Sequence, residues 1–231
     1  MKKTILVLLL AFVAMGMQAQ LKHIKPEHVY LLPDFGRAEY ERLFDLDQSD
    51  KLKGEDKKRW EACAAYDILY SPGCSWYCGG IIDTVTASSC LKPYKGYTYD
   101  AEHAHDFNHE QAWAEGVPGQ GIGEYLLYQF PGRCPRITTV MIMNGYVKNK
   151  TVWRNNSRVK QLKMCYNGEP YAILDLEDSR SMQCFEVGTL GFHDNNHPAW
   201  TLKFEILDVY PGDKHEDTVI SDLIFDGIDV H

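Results

Sequence analysis

The chain has 231 residues, 32 acidic against 24 basic, for a formal net charge of −8 with histidine neutral. An acidic surface argues against nucleic acid and anionic membrane as partners, because both are held by clustered Lys and Arg. It suits neutral ligands or divalent cations.

Lys2 and Lys3 precede an apolar run over residues 5–17, and Ala19 offers a small residue for cleavage. This reads as a secretory signal peptide over 1–19, cut between Ala19 and Gln20. The run is short for a bilayer span and no second long one follows, so no membrane insertion is expected. A lipoprotein would need Cys at the cut, and the first cysteine is Cys63. The expected product is soluble, secreted or periplasmic, with 22 basic against 32 acidic residues and a net charge of −10. The remaining length of about 210 residues suits one large all-β domain with an extension.

Residues 20–75 predict a helical N-terminal extension. Phe44, Leu46, Leu52, Trp60, Cys63, Ala64 and Tyr66 form an imperfect helical stripe, with the best helix near 55–65. Ser71-Pro72-Gly73 ends this segment as a turn. Residues 76–231 then read as short strands. Leu202, Phe204 and Ile206 alternate with Lys203 and Glu205, a half-buried strand pattern, and 171–176 alternates similarly. Further strands are expected over 81–86, 125–130, 137–143, 159–166, 182–190 and 219–225. Pro131-Gly132, Asn144-Gly145, Asn167-Gly168, 194–198 and Pro211-Gly212 supply the turns. This density predicts a mainly β fold, a jelly-roll β-sandwich.

Seven cysteines, at 63, 74, 78, 90, 134, 165 and 184, point to disulfides in an oxidising compartment, with one thiol left over. Cys74 and Cys78 are spaced for a local bridge; zinc is the weaker rival.

No G-x-S-x-G elbow and no nucleotide-binding glycine fingerprint appears. The glycine run 116–124 lacks the Lys of a phosphate loop and leads into a strand, so it reads as a tight connection. Asp175 and Glu177 are a carboxylate pair, better read as a strand-edge charge pair than a glycosidase dyad. His103, His105 and His109 offer a zinc alternative to a plain polar loop, and the loop is favoured; His193 and His197 read as a surface turn. In that same loop Asp106 and Asn108 offer short, hard oxygen donors for calcium, and Glu110 and Gln111 follow, without an EF-hand pattern.

Aromatics make up 12% of the chain, and Trp76, Trp113, Trp153 and Trp200 lie near turns or glycines, with the core as the alternative place for Trp113 and Trp200. Tyr146, after Asn144-Gly145, and Trp153 with Asn156 and Arg158 combine rings, amides and guanidinium. That mixture suits a polyhydroxylated ligand, since rings stack on sugar C–H faces while polar groups bond hydroxyls. Glu115 either accepts sugar hydroxyls or braces the glycine run.

Trp76-Tyr77-Cys78-Gly79-Gly80, Ala112-Trp113-Ala114-Glu115-Gly116-Val117, Gly119-Gln120-Gly121-Ile122-Gly123-Glu124, Asn144-Gly145-Tyr146, Asn156-Ser157-Arg158-Val159-Lys160, Phe204-Glu205-Ile206-Leu207-Asp208-Val209-Tyr210 and Ile220-Ser221-Asp222-Leu223-Ile224-Phe225-Asp226-Gly227 occur in order. Jointly they resemble the glycan-binding translocation domain found beside streptococcal NAD glycohydrolase, a discoidin-like, galactose-binding-like jelly roll. The resemblance implies a carbohydrate-binding module without NAD hydrolysis, and a structural calcium held by Asp106, Asn108, Gln111 and Asp222. Gln111 stands where the family commonly has a hydroxyl residue, and Asp222 where it usually has Glu.

The expected function is a secreted glycan-binding module, not an enzyme, with Glu115, Tyr146, Trp153, Asn156 and Arg158 as contacts. The alternatives are a secreted hydrolase acting on glycans through carboxylates or a loop metal, and a protein-binding adhesion module.

Overall fold

The computed structural model describes residues 21–230, so the signal-peptide segment lies outside the described residues. Among the described residues, eleven strands form two layers. One runs β2 (His28–Leu31), β9 (Ser181–Leu190), β6 (Ile137–Asn144), β11 (Thr218–Gly227), with β4 (Trp113–Ala114) against the start of β11. The other runs β8 (Glu169–Asp175), β7 (Ser157–Tyr166), β10 (Trp200–Tyr210), β5 (Tyr125–Phe130), β3 (Thr84–Ala87), with β1 (Lys22–Ile24) parallel to β8. The layers meet where β11 and β7 start side by side, pairing Thr218 with Ser157 and Val219 with Arg158.

Period-2 patterning explains the sandwich. On β10, Leu202, Phe204 and Ile206 are buried between the layers, while outward Lys203 and Glu205 pair with each other and Glu205 also with Lys163. Trp76, Trp113 and Trp200 all belong to this core. Phe130 stacks on Trp200 at 4.2 Å, and Phe225 meets Tyr128, Phe130 and Trp76 edge-on. Each large apolar side chain buried there contributes about 1.5–3 kcal/mol.

One layer is apolar on both faces. On β6, Val140 and Ile142 face the sandwich core, while Met141 and Met143 face outward. Met182, Cys184 and Ile224 extend that outer face, and the N-terminal segment covers it with Tyr40, Leu43, Cys63, Ala65, Tyr66 and Leu69. These come from α1 (Arg37–Gln48) and α3 (Ala64–Tyr70) with the residue before it. The helix predicted over 55–65 divides into α2 (Gly54–Glu61) and α3. The break lets α3 turn Ala65, Tyr66 and Leu69 onto the sheet, whereas α2 buries no residue.

The extension is also not purely helical, because β1 and β2 add edge strands to both layers. Between them only Ile24 is buried, so no alternation marked them.

Leu43→Ala would open a cavity between α1 and the sheet. It is expected to cost about 2–5 kcal/mol, read as a lower urea midpoint. Lys57→Ala, on the exposed face of α2, is expected to stay within about 0.5 kcal/mol.

Candidate functional site

The site lies at one end of the sandwich. Asn144, fully buried at the end of β6, donates from Nδ2 to the Val159 carbonyl (2.7 Å) and accepts the Val159 N–H on Oδ1 (2.9 Å). Gly145 follows with φ +84, and a Cβ there would lie 2.6 Å from Arg158 Cγ and 2.9 Å from the Trp153 ring. Its N–H bonds Val219 O, and its carbonyl accepts from Ser221 Oγ, which in turn accepts the Val147 N–H. This corner sends Tyr146 and Lys148 toward the end loops. Asn149 then caps α4 (Lys150–Asn155), accepting from Val152 N–H at 2.9 Å.

Opposite stands a hairpin. Tyr94 and Tyr97 exchange two backbone hydrogen bonds of 3.0 Å around Lys95 (φ +50) and Gly96 (φ +85). Positive φ at both turn positions is the tight two-residue hairpin geometry. It leaves Tyr94 62% and Tyr97 50% exposed. Between hairpin and corner lies an open groove of ≈ 330 Å³ walled by Tyr94, Tyr97, Tyr99, Tyr146, Asn155 and Asn156. Its floor is apolar, from Ala114, Val152 and Val219.

Two of the five contacts expected from the sequence, Tyr146 and Asn156, line this groove. Tyr146 donates to the Glu110 carbonyl (3.1 Å), and burial pushes its pKa up to about 12. Trp153 and Arg158 stand behind it. The guanidinium lies 4.5 Å over the Trp153 ring, is bidentate to Asp178 (2.7 and 3.2 Å) and donates to the Asn156 carbonyl. Trp153 donates to the Asn144 carbonyl.

Glu115 is fully buried, accepting the Thr218 and Val117 N–H groups at 3.0 and 2.9 Å, and burial raises its pKa. A Cβ on Gly121 would lie 2.3 Å from its Cγ, so carboxylate and glycine run brace each other. Sequence reasoning missed Tyr94, Lys95, Tyr97, Tyr99, Lys148 and His215. The available signal was Tyr94-Lys95-Gly96-Tyr97, two aromatics across a Lys-Gly turn.

The histidine loop does not converge. His103 pairs with Asp106 at 2.9 Å. His105 Nδ1 donates to the Leu223 carbonyl at 2.8 Å. His109 is fully buried between Tyr66 and Tyr70. Among the described residues, no three His, Cys, Asp or Glu side chains are grouped to hold a metal ion.

Of the four calcium donors expected, Asp106 acts electrostatically on Asp222. Asp222 is fully buried and neither oxygen makes a hydrogen bond, although the Phe107 N–H faces it. Burial, then the charge of Asp106, pushes its pKa well above the ordinary aspartate value. Asn108 and Gln111 face a neighbouring pocket beside Tyr97 and Tyr146. No disulfide joins the seven cysteines; Cys74 and Cys78 are instead hydrogen-bonded through their side chains.

A two-layer jelly roll with a groove among its end loops defines a discoidin-like β-sandwich module. The chain belongs to the NAD glycohydrolase translocation F5/8 type C domain family, whose model matches residues 76–226. Among solved structures it is similar to CpGH89CBM32-5 from Clostridium perfringens, in complex with GalNAc-β-1,3-galactose: 13% identity, 67% of this chain and 100% of that one, TM-score 0.47. It is also similar to the CBM32-1 and CBM32-2 domains of Clostridium perfringens ZmpB with GalNAc: 9% identity, 83% and 51% covered, TM-score 0.47. A third is CBM32-3 from a family 31 glycoside hydrolase of Clostridium perfringens: 14% identity, 62% and 91% covered, TM-score 0.41. No curated protein matches the chain.

Burial holds His105 and His109 neutral, pushing each pKa down to about 4; Arg180, Arg37 and Lys148 add to the shift at His109. Unfolded histidine titrates near 6.5, so between about 6.5 and about 4 the unfolded chain binds more protons. Stability contributed by these rings is therefore present above that window and lost as pH falls through it. The urea midpoint is expected to drop from pH 7 to pH 4, and to drop less steeply in His109→Gln.

Proposed function

We propose that the chain is a secreted or periplasmic carbohydrate-binding module that holds a saccharide in the tyrosine groove without reacting with it. The observation that carries this reading is the wall of four tyrosines beside three asparagine side chains over an apolar floor. Tyrosine faces stack on sugar C–H groups, while amides exchange hydrogen bonds with hydroxyls. The hairpin bonds hold the backbone at Tyr94 and Tyr97 before binding, which lowers the ordering cost that weakens open sites. Location follows from the signal-peptide reading of residues 1–19. Against the hydrolase alternative, the imidazoles of 103–109 are engaged with Asp106, Leu223, Tyr66 and Tyr70 and do not converge on the groove.

A structural calcium at Asp222 and Asp106 belongs to the same proposal. A buried carboxylate without a hydrogen bond, facing a second carboxylate, either keeps a proton or meets a cation. Bound calcium would supply positive charge between the strand and the loop, and these two side chains would hold it.

Tyr97→Ala is expected to lower affinity for a glycan-array binder by about tenfold or more, as truncation of a central aromatic contact does. Its melting temperature is expected to stay unchanged; intact binding would remove the groove from the proposal. For calcium, chelation is expected to lower the melting temperature of the wild type and not of Asp222→Asn. A wild type indifferent to chelator, with Asp222→Asn as stable as it, would mean that Asp222 carries a proton instead.

A further inference from the structure

The charge of the groove opposes that of the chain. Its lining includes Lys95, Lys148 and His215 and no Asp or Glu, within a chain of net charge −8. The Lys95 ammonium lies 5.2 Å from the Tyr94 ring centre, and that of Lys148 lies 5.1 Å from the Tyr97 ring centre. A ring quadrupole orients a cation but leaves its charge uncancelled.

Neither lysine forms an ion pair among the described residues, whereas nearby Lys150 is paired with Asp34. The nearby carboxylates stand outside the groove. Asp217 and Glu110 act at a distance on Tyr99 and Tyr146, and Glu110 lies in the adjoining pocket. Beyond Lys148 a second pocket carries Lys150 and Arg180 against the single carboxylate Asp34, so positive charge continues along this end of the sandwich.

We infer that the groove takes an anionic saccharide, one bearing a carboxylate or sulfate, rather than a neutral one. This rests on the glycan reading of the same groove. The tyrosines line the groove that receives the sugar ring, and Lys95 and Lys148, each held over one face of an exposed ring, receive the acid group. A charge-assisted hydrogen bond is roughly twice as strong as a neutral one. A neutral sugar can accept hydrogen bonds from the ammonium groups but leaves both positive charges uncompensated, which an acid group does not.

The test is a glycan array carrying neutral, carboxylated and sulfated saccharides, probed with the full secreted chain. Titration of the strongest binder against Lys148→Met, Lys95→Met/Lys148→Met and Tyr97→Ala follows. Acidic saccharides are expected to dominate, and the balance of carboxylated and sulfated binders tells which acid group the lysines receive. Lys148→Met is expected to weaken binding by about tenfold, and the double variant by more. Raising salt from about 50 to about 500 mM is expected to weaken the wild type and to affect the double variant much less. Binders that are neutral, lost in Tyr97→Ala and indifferent to both lysine variants would overturn the inference and leave the glycan groove standing. Acidic binders unaffected by the lysine variants would overturn it too. No binder of any kind would overturn both.

Discussion

The side chain of Asn144 stands in for a strand pairing at the seam between the layers. Its amide exchanges two hydrogen bonds with the backbone of Val159, joining the end of β6 to the start of β7 where the ladder itself offers only Thr218–Ser157 and Val219–Arg158. Removing either half would bury an unpaired polar group at a cost of about 1–3 kcal/mol. Everything at this end of the sandwich is referred to that seam. Gly145 turns because Arg158 and Trp153 fill the space where a side chain would go, and Ser221 ties the turn back to β11. Tyr146, Lys148 and α4 are placed as a result.

Much of the sandwich was legible because its strands alternate or cluster apolar residues between turn residues. Expected strands at 125–130, 137–143, 182–190 and 219–225 fall on β5, β6, β9 and β11. What escaped lacks that pattern. β2 has no fully buried residue and is a strand only because β9 offers it an edge. The hairpin at Tyr94–Tyr97 is polar around its turn, and its tyrosines point to solvent, so no burial period announces it.

The site was half legible for a related reason. Tyr146 and Asn156, chosen from local chemistry, do line the groove, but what Glu115 and Arg158 touch is decided by Thr218 and Asp178, which the fold brings near from far along the chain. The loop histidines were ambiguous in sequence because nothing there says that Leu223 and two tyrosines of the extension would engage them.

Charge in this molecule is arranged by depth. The global acidity suggested uncharged partners, yet net charge averages over a surface, and binding responds to the potential of one concavity. Three carboxylates at the groove end are engaged: Glu115 on backbone amides, Asp178 on Arg158, Asp34 on Lys150. The groove lining itself carries no carboxylate; its polar groups are tyrosine, asparagine, lysine and histidine.

The family match begins at residue 76, after the helices that cover Met141, Met143, Met182, Cys184 and Ile224. Excised at that boundary, the module would present a bare methionine-rich sheet face, and β8 and β9 would each lose the neighbour that closes their edge. Open edges and apolar faces invite association with other chains. The segment matched as a family and the packed body of the structure therefore have different borders here, and the larger one includes the residues that cover the outer sheet face and both edges.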